Sequence, residues 1–151
     1  MNLIGRHRPT NGFSLIELLI VIAIILIILG IAIPHLQTNR LNAVEMAVLG
    51  EIRTIHEAQT QYMSQFGKYA STLQQLGPGP EAADLIPASL ASGEKDGYLF
   101  TLTPTPGGYN INANPKVFNS TGRRTFFSNE RMTIHQNWSA EPASANSEQI
   151  K

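Results

Sequence analysis

The chain has 151 residues, enough for one domain and an appendage, and its formal net charge is zero. A balanced charge gives no sign of a nucleic-acid partner, and the lack of cysteine excludes disulfides, thiolate catalysis and cysteine zinc sites. Charged residues make up only 15%, and Gly, Ser, Thr, Asn and Pro are frequent in the second half, which favours an exported, loop-rich domain.

The chain begins with a short polar segment, residues 1–12, followed by an apolar run at Phe13–Ile33. Glu17 is the only charged residue of this run. As an α-helix the run would span roughly 31 Å, close to the hydrocarbon thickness of a bilayer. Because the basic residues Arg6 and Arg8 precede it, the positive-inside rule predicts a cytoplasmic N-terminus and an exported remainder.

A secretory signal peptide is one alternative for this region. The apolar part of such a peptide has about 7–15 residues, which is shorter than this run, and no A-x-A-like site follows here. The small residue that could mark a cleavage point is Gly12, upstream of the run. A cut there would remove residues 1–12 as a leader and leave the transmembrane segment on the mature chain.

The helix is predicted to continue as an amphipathic segment over residues 34–66. Apolar residues recur at steps of three, four and seven, with mostly polar residues between them. The apolar stripe consists of Leu41, Val44, Val48, Ile52, Ile55, Tyr62 and Phe66. The whole helix would run from Phe13 to Phe66, about 80 Å, which is too long for a compact domain of this size.

Helix breakers from Gly67 onwards indicate a globular head at residues 67–138. Four runs of alternating apolar and polar residues predict two hairpins. The runs are Tyr98–Leu102 with Tyr109–Ala113, and Arg124–Ser128 with Met132–Gln136. The sheet needs a cover for its apolar face, and the helix stripe is the only sizeable candidate. The predicted fold class is therefore α+β, a long N-terminal helix packed on a small antiparallel sheet, with a flexible polar tail at residues 139–151.

Candidate catalytic residues are few. His56 begins a zincin-like HEAQT, but the position four residues on is Thr60, so His56 is interpreted as a half-exposed helix residue. Trp138 is interpreted as a core or edge aromatic, and the pair Arg123 and Arg124 as a solvated turn. The sequence therefore predicts no enzyme activity, no cofactor and no metal site.

Glu17 has two interpretations. It can be an interfacial carboxylate, tolerated at little cost near the end of a span. Cleavage after Gly12 gives it another role, because the new amine of Phe13 is a cation four residues away, in or beside an apolar phase. The two groups could neutralise each other within one chain, where they would lie about one helical turn apart, or between neighbouring chains, where the pairing would also set the stagger of the chains.

The stretch GFSLIELLIVIAIILIILGIAIP resembles the N-terminal signature of type IV pilins and the related pseudopilins. The resemblance rests on a short basic leader, Gly12 before the cut, Phe13 as first mature residue, Glu17 as the fifth and Pro34 as the twenty-second. The expected head, a helix packed on a small antiparallel sheet, is similar to the globular heads of the family in order and size.

The resemblance implies a precursor that lies in the inner membrane, in contact with lipid, with its leader in the cytoplasm. A prepilin peptidase would cut between Gly12 and Phe13 and methylate the Phe13 amine. The inner-membrane pilus assembly machinery would then add the subunit to a homopolymeric filament outside the cell, with Phe13–Ile33 in its core. Glu17 would act in assembly, and the protein would be a structural subunit rather than an enzyme.

Two departures bear on the choice within the family. Many pilins close their C-terminal region with a disulfide, which this chain cannot form. Major pseudopilins of type II secretion usually carry an acidic calcium-binding loop, whereas FFSNERMTIHQNW offers only Glu130, so the sequence favours a pilin over a pseudopilin. The alternatives are a type II secretion pseudopilin and an uncleaved single-span membrane protein with an outer binding domain.

Gly30 and Pro34 are predicted to form a weak turn of the helix. Pro34 lacks the N–H that would bond to the Gly30 carbonyl, and Gly weakens a helix by roughly 1 kcal/mol relative to Ala. In an assembled fibre, Ile27–Pro34 is expected to lose regular helix. A simple kink at the membrane boundary is the alternative.

Overall fold

The computed structural model describes residues 12–150, except for the side chains of residues 34 and 35. Of the predicted leader, only Gly12 falls among the described residues, and the rest of it lies outside them. The chain forms two compact units, Met1–Thr38 and Asn39–Lys151.

The predicted long helix is present as α1, Leu15–Phe66, with 52 residues that contribute to both units. Its end is defined by Gly67, which has a positive φ of 69° and donates its N–H to the carbonyl of Met63 at 2.9 Å. A glycine in the left-handed region is a common way to satisfy the last carbonyls of a helix, because it has no Cβ to clash there. Two short helices follow, α2 (Leu73–Leu76) and α3 (Ala88–Ala91).

The second unit contains one six-stranded antiparallel sheet in which each strand pairs with the next in chain order. The strands are β1 (Glu94–Lys95), β2 (Tyr98–Thr105), β3 (Gly108–Pro115), β4 (Thr125–Asn129), β5 (Ile134–Asn137) and β6 (Glu148–Gln149). Both predicted hairpins are confirmed, with Phe100 opposite Ala113 in the first and Ser128 opposite Ile134 in the second.

The end of the chain differs from the expectation of a flexible tail after Trp138. Glu148 and Gln149 pair with β5, and the Ile150 N–H donates to the carbonyl of Ile134 at 2.9 Å. Ala143 is buried, and its carbonyl accepts a hydrogen bond from the side chain of Asn112. The backbone of this segment is therefore hydrogen-bonded to the sheet. Such bonds cannot be predicted from the polarity of the side chains alone.

The core of the second unit lies between α1 and the sheet. Val48, Ile52 and Ile55 of the predicted stripe are fully buried, whereas Phe66 at its end is 53% exposed. The sheet contributes the large buried side chains Tyr98, Tyr109, Ile111 and Phe126. Burial of one such side chain stabilises the fold by about 1.5–3 kcal/mol, so the contact between helix and sheet is the main source of stability in this unit.

Candidate functional site

The N-terminal candidate residues lie at the start of α1. Gly12 and Phe13 precede the helix, and Glu17 lies in its first turn, where a carboxylate is favoured by the helix dipole. Phe13 is 78% exposed, and a Cβ added at Gly12 would meet no other atom within 4 Å. The peptide bond between Gly12 and Phe13 is thus sterically open in the single chain.

The first half of α1 exposes apolar side chains around its whole circumference. From Leu15 to Ile33, the large hydrophobic side chains are between 44% and 81% exposed. Among the described residues, α1 is the one helix that is long and apolar enough to cross a membrane, by length and composition. An apolar surface of this extent is unstable in water, so lipid or other protein must cover it.

Gly30 and Pro34, the predicted weak point, both lie within the helical bounds of α1. Gly30 is exposed, and a Cβ there would meet nothing within 4 Å. Steric crowding therefore does not require glycine at this position in the single chain. The expected loss of helix concerns the assembled fibre and stays a prediction.

A buried carboxylate joins α1 to the segment before β4. Glu45 is fully buried and accepts two strong hydrogen bonds, from the Arg124 Nε at 2.8 Å and from the Arg123 backbone N–H at 2.7 Å. Arg124 also donates to the Gln136 side chain at 2.8 Å, and its guanidinium lies 4.9 Å from the centre of the Trp138 ring. The interpretation of the arginines as a solvated turn is wrong for Arg124, whose side chain is only 15% exposed because it neutralises Glu45.

His56 is the second polar group that the structure brings into the interface of helix and sheet. Its ring nitrogens lie 2.7 Å from the Tyr109 hydroxyl on β3 and 2.7 Å from the Ser128 hydroxyl on β4. The interpretation of His56 as half exposed is wrong, since the residue is only 4% exposed. Burial lowers the pKa of His56 to about 4, so the ring is neutral at pH 7.

The Gln59 side chain of α1 binds the backbone of the loop that follows this helix. Its side-chain amide donates to the carbonyl of Ala70 at 2.9 Å and accepts from the Ala70 N–H at 2.8 Å. Both Gln59 and Ala70 are buried, so this pair of bonds replaces water for the backbone of the loop. Sequence periodicity gave no indication of it, because a glutamine beside an apolar stripe is normally assigned to solvent.

A groove of about 790 Å³ lies between α1 and the last strands. Leu49 and Ile134 form apolar walls, His56 lies at its base, and Arg53 and Glu57 are exposed at its rim. Its size suits a small molecule or a peptide side chain. The described residues contain no cluster of three or more His, Asp or Glu side chains that could bind a metal ion.

Comparison with known proteins shows similarity to an N-terminal processing motif and to type IV pilins. Residues 7–33 match the prokaryotic N-terminal methylation motif. The Type IV wide pilus major component PilA4 of Thermus thermophilus is 33% identical over 118 residues, which cover 70% of this chain and 90% of that protein. The Type IV major pilin protein PilA of Myxococcus xanthus is 33% identical over 79 residues, which cover 52% of this chain and only 36% of that longer protein.

A second group of relatives belongs to type II secretion. The Type II secretion system core protein G of Escherichia coli is 31% identical over 98 residues, covering 65% of this chain and 67% of that protein. Together with the helix-and-sheet fold, these similarities show that the chain belongs to the family of type IV pilins and pseudopilins. Members of this family are structural proteins and not enzymes, and the family membership implies processing and polymerisation.

Proposed function

We propose that this protein is a structural subunit of a type IV pilus. The observation that carries the proposal is the cleavage-and-methylation motif placed directly before a helix whose apolar surface is exposed on all sides. Lipid can cover that surface in the precursor, and the same segments of neighbouring subunits can cover it in a filament. The partners are then membrane lipid, a prepilin peptidase, the inner-membrane assembly machinery and further copies of this chain.

The proposed route begins in the inner membrane with the N-terminus in the cytoplasm, as the basic residues of the leader favour. The peptidase cuts between Gly12 and Phe13, and the Phe13 amine is methylated. Assembly then transfers the apolar segment from lipid into the core of an extracellular filament. The transfer exchanges one apolar surrounding for another, so it needs no exposure of the segment to water.

The substitution Gly12→Val tests the cleavage site. A β-branched residue hinders access of a peptidase to the carbonyl at the scissile bond, so full-length precursor should accumulate in the membrane. Because a Cβ at Gly12 contacts nothing in the single chain, misfolding does not explain such a result. Gly50→Ala is the matched control, since Gly50 is exposed, equally free of neighbours and remote from the cut.

Intact mass measurement of the wild-type and both variant proteins gives the readout. We expect wild type and Gly50→Ala to begin at methylated Phe13, and Gly12→Val to begin at Met1. A wild-type chain that retains Met1 would support an uncleaved single-span protein instead. Normal maturation of Gly12→Val would show that the cut lies elsewhere.

A type II secretion pseudopilin is the second candidate, because the similarity to core protein G extends over 67% of that protein. The single acidic residue, Glu130, in the stretch that would correspond to an acidic calcium loop supports the pilin assignment. Imaging of surface filaments in a deletion strain separates the two. Loss of filaments in the deletion strain would support the assignment as a pilus subunit. Intact filaments together with a loss of protein secretion would support the assignment as a pseudopilin.

A further inference from the structure

The interface of helix and sheet contains a chain of hydrogen bonds whose direction can be assigned. The Ser128 hydroxyl donates its single proton to the carbonyl of Thr133 at 2.8 Å. It must therefore accept from Nε2 of His56, 2.7 Å away. In a neutral ring Nδ1 then has no proton and accepts from the Tyr109 hydroxyl at 2.7 Å. The order of donation is thus Tyr109 to His56 to Ser128 to Thr133.

This relay connects four separate parts of the second unit. His56 lies on α1, Tyr109 on β3, Ser128 on β4, and Thr133 between β4 and β5. His56, Tyr109 and Ser128 are all buried, so the hydrogen bonds are shielded from water and an unmatched proton would be costly. The relay fixes both the docking of the helix and the position of the second hairpin.

A second proton on the imidazole is incompatible with this order. Both ring nitrogens become donors, so Nδ1–H points at the Tyr109 hydroxyl, which must give up its own bond in order to accept. The ring also becomes a cation in a buried position, where an unpaired charge is strongly disfavoured. Either change weakens the contact of α1 with β3 and β4.

The charged and titratable groups around His56 do not remove this conflict. On α1, the cation of Arg53 opposes protonation and the carboxylate of Glu57 favours it, but both are exposed at the groove rim, where solvent screens them. Burial raises the pKa of the Tyr109 hydroxyl. Tyr69, after α1, and Glu130, in the turn between β4 and β5, raise it further. The lowered pKa of His56 shows that burial outweighs these charges.

Three other strands carry titratable groups on this face, and each group has its own partner. Lys95 on β1 pairs with Glu51 of α1. Tyr98 on β2 donates to the carbonyl of Arg124, and Glu148 on β6 accepts from the Gln136 side chain. β4, with sequence TFFSN, contains no titratable group. On β5, His135 lies opposite Phe127, and alternation along the strands places this pair on the other face of the sheet from Ser128. Nδ1 of His135 donates to the carbonyl of Ser147. His135 therefore lies outside the relay, in the same unit, and is a suitable control for His56.

We propose that the relay from Tyr109 through His56 to Ser128 is an acid-sensitive latch that holds α1 against the sheet and releases it when His56 is protonated. The latch is independent of whether the fibre is a pilus or a secretion pseudopilus. A subunit with this device is stable at neutral pH and loosens at its helix–sheet interface in an acidic surrounding.

The sign of the pH effect follows from the two states of the histidine. The unfolded chain binds the proton near the ordinary pKa of 6.5, and the folded chain binds it only near 4. Stability from His56 is therefore complete above pH 6.5 and is lost as the pH falls towards 4. Over this window the ratio of folded to unfolded protein should fall about a hundredfold because of His56 alone.

The test is urea unfolding of the full chain in detergent between pH 7 and pH 4, compared with His56→Gln and His135→Gln. Glutamine can accept from Tyr109 and donate to Ser128 without titrating. On acidification from pH 7 to pH 4, the ratio of folded to unfolded protein should fall in wild type and in His135→Gln. We expect this fall to be about a hundredfold larger than the fall in His56→Gln. Equal losses in all three proteins would overturn the latch, because the carboxylates would then account for the whole effect.

A nuclear magnetic resonance titration of wild-type protein covers the case in which His56→Gln does not fold. Long-range nitrogen–proton spectra report which ring nitrogen carries hydrogen. We expect His56 as a single neutral tautomer, protonated at Nε2, down to about pH 5. Protonation of His56 near pH 6.5 with an unchanged structure, or a proton on Nδ1 at neutral pH, would disprove the relay.

Discussion

At the scale of single residues, the buried carboxylate of Glu45 is predicted to have a large effect on stability. Replacing Glu45 by alanine leaves the Nε of Arg124 and the backbone N–H of Arg123 without their acceptor in a mostly buried place. Removal of one partner of such a pair costs about 3–5 kcal/mol. We expect Glu45→Ala to lower the free energy of unfolding at pH 7 by at least about 3 kcal/mol, measured by urea denaturation.

The matched control is Glu94→Ala, which also removes a carboxylate with a cationic partner. Glu94 pairs with Lys116, and both side chains are about half exposed, at 50% and 52%. Solvent screening limits such a pair to roughly 0–1 kcal/mol. Equal losses in Glu45→Ala and Glu94→Ala would contradict the assignment of Glu45 as the buried carboxylate that joins α1 to the segment before β4.

The sequence could not identify Glu45 because its partner is remote. A charged residue near an apolar helix stripe is normally assigned to solvent, and Arg124 follows it 79 positions later along the chain. The same holds for His56, whose hydroxyl partners lie 53 and 72 positions away. By contrast, the roles predicted for Gly12 and Glu17 depend on local order along the chain, which the sequence shows directly.

At the scale of secondary structure, long and regular patterns predicted the elements well. The apolar run and stripe predicted α1, and period-two alternation predicted both hairpins. The strands β1 and β6 were not predicted, because each has only two residues, too few for any alternation. Their pairing depends on neighbouring strands in space, which a local pattern does not contain.

The helix turn containing Gly30 and Pro34 is predicted to unwind in the assembled fibre. In the single chain these residues belong to α1. The missing N–H of Pro34 and the low helix propensity of Gly30 make this the turn that costs least to unwind. We expect a cryo-electron microscopy map of the fibre to show Ile27–Pro34 without regular helix, which would let the fibre extend under force.

Gly30→Ala is a variant that tests the cause of such unwinding. The added methyl group has space in the single chain and should favour helix by roughly 1 kcal/mol. We expect the Gly30→Ala fibre to keep more helix in this turn and to stretch less than wild type. Continuous helix through the turn in the wild-type fibre would refute the proposal and leave a simple kink as the description.

At the scale of the whole molecule, the proposed self-assembly would bring the N-terminal charges into an apolar surrounding. In the proposed fibre the first residues of each mature chain would be surrounded by apolar segments of other chains. An unpaired Phe13 ammonium in that environment costs several kcal/mol. Glu17 is the only opposite charge between Phe13 and Ile33, so the Glu17 of a neighbouring chain is the available partner.

The substitution Glu17→Ala should therefore block assembly without preventing membrane insertion, because it makes the apolar run more hydrophobic. Cleavage should continue, since Glu17 lies beyond the scissile bond. The measurement compares precursor, mature membrane protein and sheared surface fibre, with Glu57→Ala as control for loss of an exposed carboxylate of α1. Since each 1.4 kcal/mol changes an equilibrium about tenfold, we expect at least tenfold less fibre from Glu17→Ala and normal fibre from Glu57→Ala. Normal fibre from Glu17→Ala would mean that Glu17 is an interfacial carboxylate with no part in assembly, and that the Phe13 amine is neutralised or solvated in another way.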